Sequence, residues 1–151
     1  MVMLFFFIAA VTVSTAVGTL DVAQITPVPN APAAAPFPAE TEASSAARKW
    51  VRLLDDGQWD ASWQAAGTIF KTQLKPEQWV ATIQSVRQPL GPVSSRTLQS
   101  VEQTNSLPGA PAGAYQILQF QTRFANRPHA IETIALSYEA GAWLVDGYFI
   151  R

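Results

Sequence analysis

The hydrophobic period of this chain changes once, across Pro89-Leu90-Gly91-Pro92. Before that break apolar side chains return every three or four residues; after it they return every second residue. Helices and strands therefore fall in separate blocks. A chain divided in this way lays its helices on one face of an antiparallel sheet instead of interleaving them through a parallel one.

The helical block predicts three helices. Ala46, Ala47, Trp50, Val51 and Leu54 make the apolar stripe of the first, with Glu42, Arg48, Lys49, Arg52 and Asp55 on the other side and Gly57 as the stop. The second runs through Asp60–Ala66, with Asp60 as N-cap and Gly67 ending it. The third starts at Pro76, a good first-turn residue, and carries Trp79, Val80, Ile83, Val86 and Leu90.

The strand block predicts Val93–Gln103, a loop over Thr104–Gly113, then Tyr115–Ala125, His129–Glu139 and Ala142–Ile150. Tight turns at Asn126-Arg127-Pro128 and Ala140-Gly141 make the last three an antiparallel meander. Pairing Ala125 with His129 sets Phe124 against Ala130, Thr122 against Glu132, Phe120 against Ile134 and Leu118 against Leu136. The same inner face continues through Trp143, Val145, Gly147 and Phe149. The expected fold is α+β: three N-terminal helices packed on one face of a curved antiparallel sheet of about four strands.

Ahead of this domain, residues 1–20 are apolar or small and contain no Lys or Arg. The run is short for a membrane span and fits a secretory signal, with cleavage after Gly18. An uncleaved N-terminal membrane tether is the alternative. Residues 21–40 hold Pro27, Pro29, Pro32, Pro36 and Pro38 among alanines, a composition that favours extended polyproline II and reads as a spacer. Residues 41–151 then form a single domain. Both readings of the leader place that domain outside the cytoplasm, in the periplasm or secreted.

Composition narrows the chemistry. Ten Lys+Arg against eleven Asp+Glu leave no footprint for nucleic acid. The absence of cysteine excludes disulfides, thiolate metal sites and thiol nucleophiles. No phosphate-binding glycine loop or serine elbow occurs, and His129 stands alone as the only histidine, so neither a metal nor a cofactor is expected. Asp55-Asp56-Gly57 matches only a fragment of a calcium loop, and helix termination explains it better.

Several ordered elements form a recognisable set. Ser62-Trp63-Gln64-Ala65-Ala66, Gln78-Trp79, Ser85–Gly91, Ser95-Arg96, Thr104–Pro111 with its Leu-Pro-Gly-Ala-Pro core, Phe124-Ala125-Asn126, Glu132-Thr133, Gly141-Ala142-Trp143 and Gly147–Arg151 follow in order. Together they resemble the bacterial family called domain of unknown function 4019, over essentially all of residues 45–151. That resemblance implies an export signal and no established activity. The order of helices and sheet also resembles the NTF2-like and cystatin-like architectures, which host enzymes, ligand binders and scaffolds alike.

Glu132 is the sharpest candidate residue, because the register places its carboxylate on the apolar inner face near Thr122, Phe124 and Phe149. A buried carboxylate needs partners. It is either a general base or polar anchor in a pocket, or one half of a structural ion pair with Arg87 or Arg96. The two arginines flank the period break, and the alternative role for them is a clamp on an anionic ligand. The expected function is a non-enzymatic exported module that binds a protein partner or small molecule. One alternative is an NTF2-like hydrolase or isomerase using Glu132. The other is a structural domain that dimerises through an outer sheet face carrying Ile117, Leu144, Tyr148 and Ile150.

Overall fold

The computed structural model describes residues 40–151, so the expected export segment and nearly all of the proline-rich spacer lie outside the described residues. Among the described residues four α-helices precede four strands: α1 Glu42–Asp55, α2 Trp59–Gln64, α3 Thr68–Gln73, α4 Pro76–Arg87, then β1 Val93–Thr104, β2 Tyr115–Phe124, β3 Ala130–Glu139 and β4 Ala142–Ile150. The sheet is an antiparallel meander in the order β1-β2-β3-β4.

The start of α1 is held by Thr41, whose hydroxyl accepts from the Ser44 N–H while Ser44 Oγ accepts from the Thr41 N–H, a reciprocal cap. Its end is Gly57, at φ 70°, a left-handed position that suits glycine. The expected N-cap role of Asp60 is not what the structure shows: Gln58 is the N-cap of α2 and Asp60 lies in its first turn. Gly67 does not end a helix either. It is the N-cap residue of α3, a six-residue helix absent from the three-helix expectation. That helix is too short to show a period, yet it delivers Phe70 to the core at 3% exposure.

In α4 the buried stripe is Trp79, Ile83 and Arg87, spaced by four, whereas Val86 is 41% exposed. Arg87 thus replaces Val86 in the stripe. The chain leaves α4 through a 3₁₀ turn at Gln88–Leu90. The β2–β3 turn clasps this connection: the Asn126 N–H donates to Leu90 O, Asn126 Nδ2 to Pro89 O and the Ala125 N–H to Pro92 O. Arg87 and Arg96 are therefore held on either side of a connection fixed to the sheet.

The inner faces of β2 and β3 are as expected, but the register is two residues away: Thr122 pairs with Ala130, Phe120 with Glu132 and Leu118 with Ile134. The turn is tighter than the expected one. Phe124 and Arg127 exchange both backbone hydrogen bonds around Ala125-Asn126, and the chain absorbs the remaining residues before β3 begins. The Ala140-Gly141 turn is the expected two-residue connection, with both residues at positive φ.

β4 departs most from strict alternation. Leu136 pairs with Val145 and Ala135 with Gly147, so Asp146 is an extra residue in a β-bulge. Beyond it every side chain changes face. Tyr148 and Ile150 point into the core, and Phe149 aligns with Thr133 on the outer face. The outer face expected to support dimerisation consequently loses Tyr148 and Ile150 and retains Ile117 and Leu144.

The core lies between helices and sheet and is strongly aromatic. Trp50, Phe70, Trp79 and Tyr148 form one cluster, with Phe70 and Trp79 edge to face at 4.8 Å and Trp50 and Tyr148 centred 5.5 Å apart. The buried indoles are satisfied: Trp50 Nε1 donates to Ser62 O at 2.8 Å and Trp79 Nε1 to Ser62 Oγ at 2.9 Å. Truncating Phe70 to alanine should lower the unfolding free energy by about 3–5 kcal/mol, and Val86→Ala by no more than about 0.5 kcal/mol. Urea unfolding of the two variants checks both the unexpected helix and the rotated stripe.

Candidate functional site

Where α1, α4, β1, β3 and β4 meet, the apolar core gives way to a network of charge. Glu132 on β3 is fully buried. Its Oε1 accepts from Arg87 Nη1 at 2.9 Å, from Arg96 Nη2 at 3.2 Å and from the Tyr148 hydroxyl. Its Oε2 accepts from Arg96 Nε at 2.6 Å and from the Thr122 hydroxyl. Arg87 also donates to Tyr148 Oη at 3.0 Å, so that hydroxyl accepts from the arginine while donating to the glutamate.

Asp55, in the last turn of α1, closes the network. Arg96 meets it through Nη1 to Oδ2 at 2.7 Å and Nη2 to Oδ1 at 3.0 Å, and Arg87 Nη2 pairs with Oδ1. The Asp55 side chain retains 22% exposure, against 5% for Arg87 and 9% for Arg96, so it forms the solvent edge of the cluster. Phe124 supplies an aromatic floor, its ring 4.7 Å from the Arg87 guanidinium carbon. Two carboxylates balance two guanidiniums, and the network is neutral as a unit.

The electrostatics follow from that pairing. Burial pushes the Asp55 carboxyl up, but the hydrogen bonds and charge of Arg96, with the charge of Arg87, hold it below the usual aspartate range. Burial disfavours the Arg96 cation, yet Asp55 and Glu132 more than compensate and raise its affinity for the proton. Burial and the neighbouring Glu132 charge push the Tyr148 hydroxyl well above the ordinary tyrosine range. Tyr148 is accordingly a neutral donor at any ordinary pH.

Glu132, Arg87 and Arg96 are thus brought together, as an ion-paired cluster with both expected arginine partners engaged at once. Asp55 was assigned to the solvent side of its helix, where it stays exposed, but its carboxylate pairs with both arginines; its position one turn beyond the buried Val51 was the available signal. Tyr148 takes the place expected for Phe149, a consequence of the Asp146 bulge. His129 is exposed beside Arg123 on a shallow outer-face groove of about 320 Å³, away from the cluster. The Leu107–Pro111 loop is tied to its own hairpin through Tyr115 Oη, which donates to Pro111 O at 2.6 Å. Among the described residues no group of three or more His, Asp or Glu side chains is arranged to hold a metal ion.

The matching family model, described as a protein of unknown function (DUF4019), spans residues 46–148 and so takes in the helices, the whole charged network and the Asp146 bulge. The chain belongs to the DUF4019 family. No curated protein matches it. In this DUF4019 domain Asp55, Arg87, Arg96, Glu132 and Tyr148 all fall within the matched span.

Breaking a buried ion pair from one side leaves the other charge uncompensated, at a cost of about 3–5 kcal/mol. Glu132→Gln should therefore destabilise the DUF4019 domain by that order in chemical denaturation. Asp55, with its lowered pKa, contributes stability that is complete above its unfolded-state value and lost as pH falls through the native one. Thermal unfolding of Asp55→Asn should accordingly fall less steeply on acidification than that of the native chain.

Proposed function

We propose that this protein is an exported, non-catalytic binding module whose charged network fixes the scaffold and whose ligand contacts lie elsewhere. The observation that carries this reading is the saturation of Glu132. Five donor groups from four side chains occupy its two oxygens, two of them cationic. A carboxylate so engaged has no free lone pair directed at a substrate, which disfavours its use as a general base.

For the binding surface, the groove between α1 and β4 is the best supported. Ala46, Trp50, Leu53, Ala65, Trp143 and Val145 wall a concavity of about 350 Å³, with Lys49 exposed at its rim. Indole and aliphatic surface beside one ammonium suits an apolar ligand, or an apolar peptide segment, that carries an anionic group. The leader supports export: an apolar segment over residues 1–20 followed by a proline-rich spacer would present the domain away from a membrane surface.

Two measurements test this. The anionic apolar dye 8-anilinonaphthalene-1-sulfonate should bind the native protein saturably, with energy transfer from tryptophan. Trp143→Ala should abolish that binding, and Lys49→Glu should weaken it several-fold, about 1 kcal/mol or more for a lost charge contact. Unsaturable binding, or binding indifferent to both substitutions, contradicts the assigned surface. Expression with export and N-terminal sequencing of the product should give Thr19 as the first residue; a cytoplasmic, full-length product contradicts the assigned compartment.

A further inference from the structure

On the sheet face turned away from the helices, β1 carries two irregularities. Val93 pairs with Phe124 and Ser95 with Arg123, so Ser94 is an extra residue. Leu98 pairs with Phe120 and Ser100 with Gln119, so Gln99 is another. A β-bulge bends its strand and raises the local twist. Over the stretch between the two bulges lies a groove of about 320 Å³, lined by Ser95, Thr97 and Gln99 from β1, Gln121 and Arg123 from β2, and Pro128 and His129 from the turn into β3.

The register gives these side chains one common face. Ser95 stands directly across from Arg123 and Thr97 from Gln121. Such cross-strand neighbours hold their Cβ atoms about 5 Å apart. The backbone beneath them is fixed. Ser94 Oγ donates to Arg123 O at 3.1 Å, the Phe124 N–H donates to Arg127 O at 3.0 Å, and the Ala125 N–H ties the turn to Pro92 O at 2.9 Å. Donors mounted on paired strands and a clasped turn keep their positions when a ligand arrives.

The groove is the opposite of the inner network in one respect. There each charged side chain is engaged, whereas here no lining side chain spends a polar group on a hydrogen bond or ion pair within the protein, among the described residues. The Arg123 charge is also unopposed. No acid occurs on β2, and the one acid of β1, Glu102, lies further along the strand opposite Ile117.

That inventory selects a ligand. A free guanidinium fork matches the two oxygens of a carboxylate or phosphate. Hydroxyls and carboxamides both donate and accept, which suits a partner rich in hydroxyl groups, and the His129 ring supplies a further donor. Pro128 is the sole apolar residue of the lining, so an apolar body is not favoured, and the lining holds no carboxylate to attract a cation. A polyanion would need many cations to bind, and Arg123 is the one permanent cation here.

We propose that this groove is a binding site for a small polyhydroxylated oxyanion, a sugar phosphate or a sugar acid, with Arg123 holding the oxyanion and Ser95, Thr97, Gln99 and Gln121 reading the hydroxyl groups. It is separate from the apolar groove between α1 and β4 and lies on the other side of the sheet.

The test titrates the full chain, isotopically labelled, with glucose 6-phosphate, glucuronate, glucose and inorganic phosphate in turn, following backbone amides and glutamine carboxamides by NMR. Glucose 6-phosphate and glucuronate should give saturable shifts centred on Ser95, Thr97, Gln121 and Arg123, and the tighter of the two identifies the oxyanion. Arg123→Gln should weaken that binding about tenfold or more, the loss expected for a hydrogen bond to a charged group. Arg127→Gln, in the same turn but outside the groove, should leave it nearly unchanged. Thr97→Val should weaken the sugar oxyanions several-fold and leave inorganic phosphate unaffected. Equal losses from Arg123→Gln and Arg127→Gln would show only diffuse attraction and overturn the site. Glucose or phosphate binding as tightly as the sugar oxyanions, shifts centred on the groove between α1 and β4, or no saturable shift at all would overturn it as well.

Discussion

The fold depends on one buried carboxylate. Glu132 sits at 0% exposure in the middle of the inner sheet face, where a lone charge would be prohibitively costly. Every element around it is positioned by the need to answer that charge. Arg87 comes from the last turn of α4, Arg96 from β1, Thr122 from β2 and Tyr148 from β4, and Asp55 from α1 completes the count of charge. A network of this kind adds little net stability over a well-packed apolar core, but it punishes any arrangement that separates its members. Its effect is to specify which helix faces which strand.

Tyr148 connects this network to the rest of the core. Its ring belongs to the aromatic cluster with Trp50 and Trp79, and its hydroxyl bridges Arg87 and Glu132. The β-bulge at Asp146 makes that position possible, because without the extra residue Tyr148 would face outward. The same bulge delivers the Asp146 carboxylate to the Phe70 N–H of α3. One irregularity in β4 thus serves both the network and the docking of α3, which gives it a clear physical purpose.

Much of this was legible in the sequence, and each miss has a physical cause. The change of period at Pro89–Pro92 placed the helices before the sheet, and the two-residue turn at Ala140-Gly141 followed from its length and glycine. Glu132 stood out because alternation carried it to an apolar face, and the nearby arginines were the natural partners. Alternation also failed at Asp146, since a bulge leaves no mark in a period-two pattern, and Tyr148, Phe149 and Ile150 were all assigned to the wrong face. Asp55 was read as an ordinary surface charge at a helix end, because a stripe containing paired charges looks like the edge of a stripe. Helix α3 was invisible for a different reason: six residues are too few to establish a helical period, and tertiary contacts, among them the docking of Phe70 and the caps from Asp146 and Glu139, stabilise it.

The central claim is that Arg87 and Arg96 are locked into a desolvated network and not held ready for a ligand. Hydrogen exchange at the guanidinium N–H groups that bond Glu132 and Asp55, the Nη groups of Arg87 and the Nε and Nη groups of Arg96, resolved by NMR, addresses it most directly. The Arg87 and Arg96 protons should be protected to the level of core amides such as those of β2 and β3, while Arg123 exchanges at the rate of an exposed side chain. Equal and rapid exchange at Arg87, Arg96 and Arg123 would contradict the account, because it would show the network open to water on the timescale of ordinary side-chain motion.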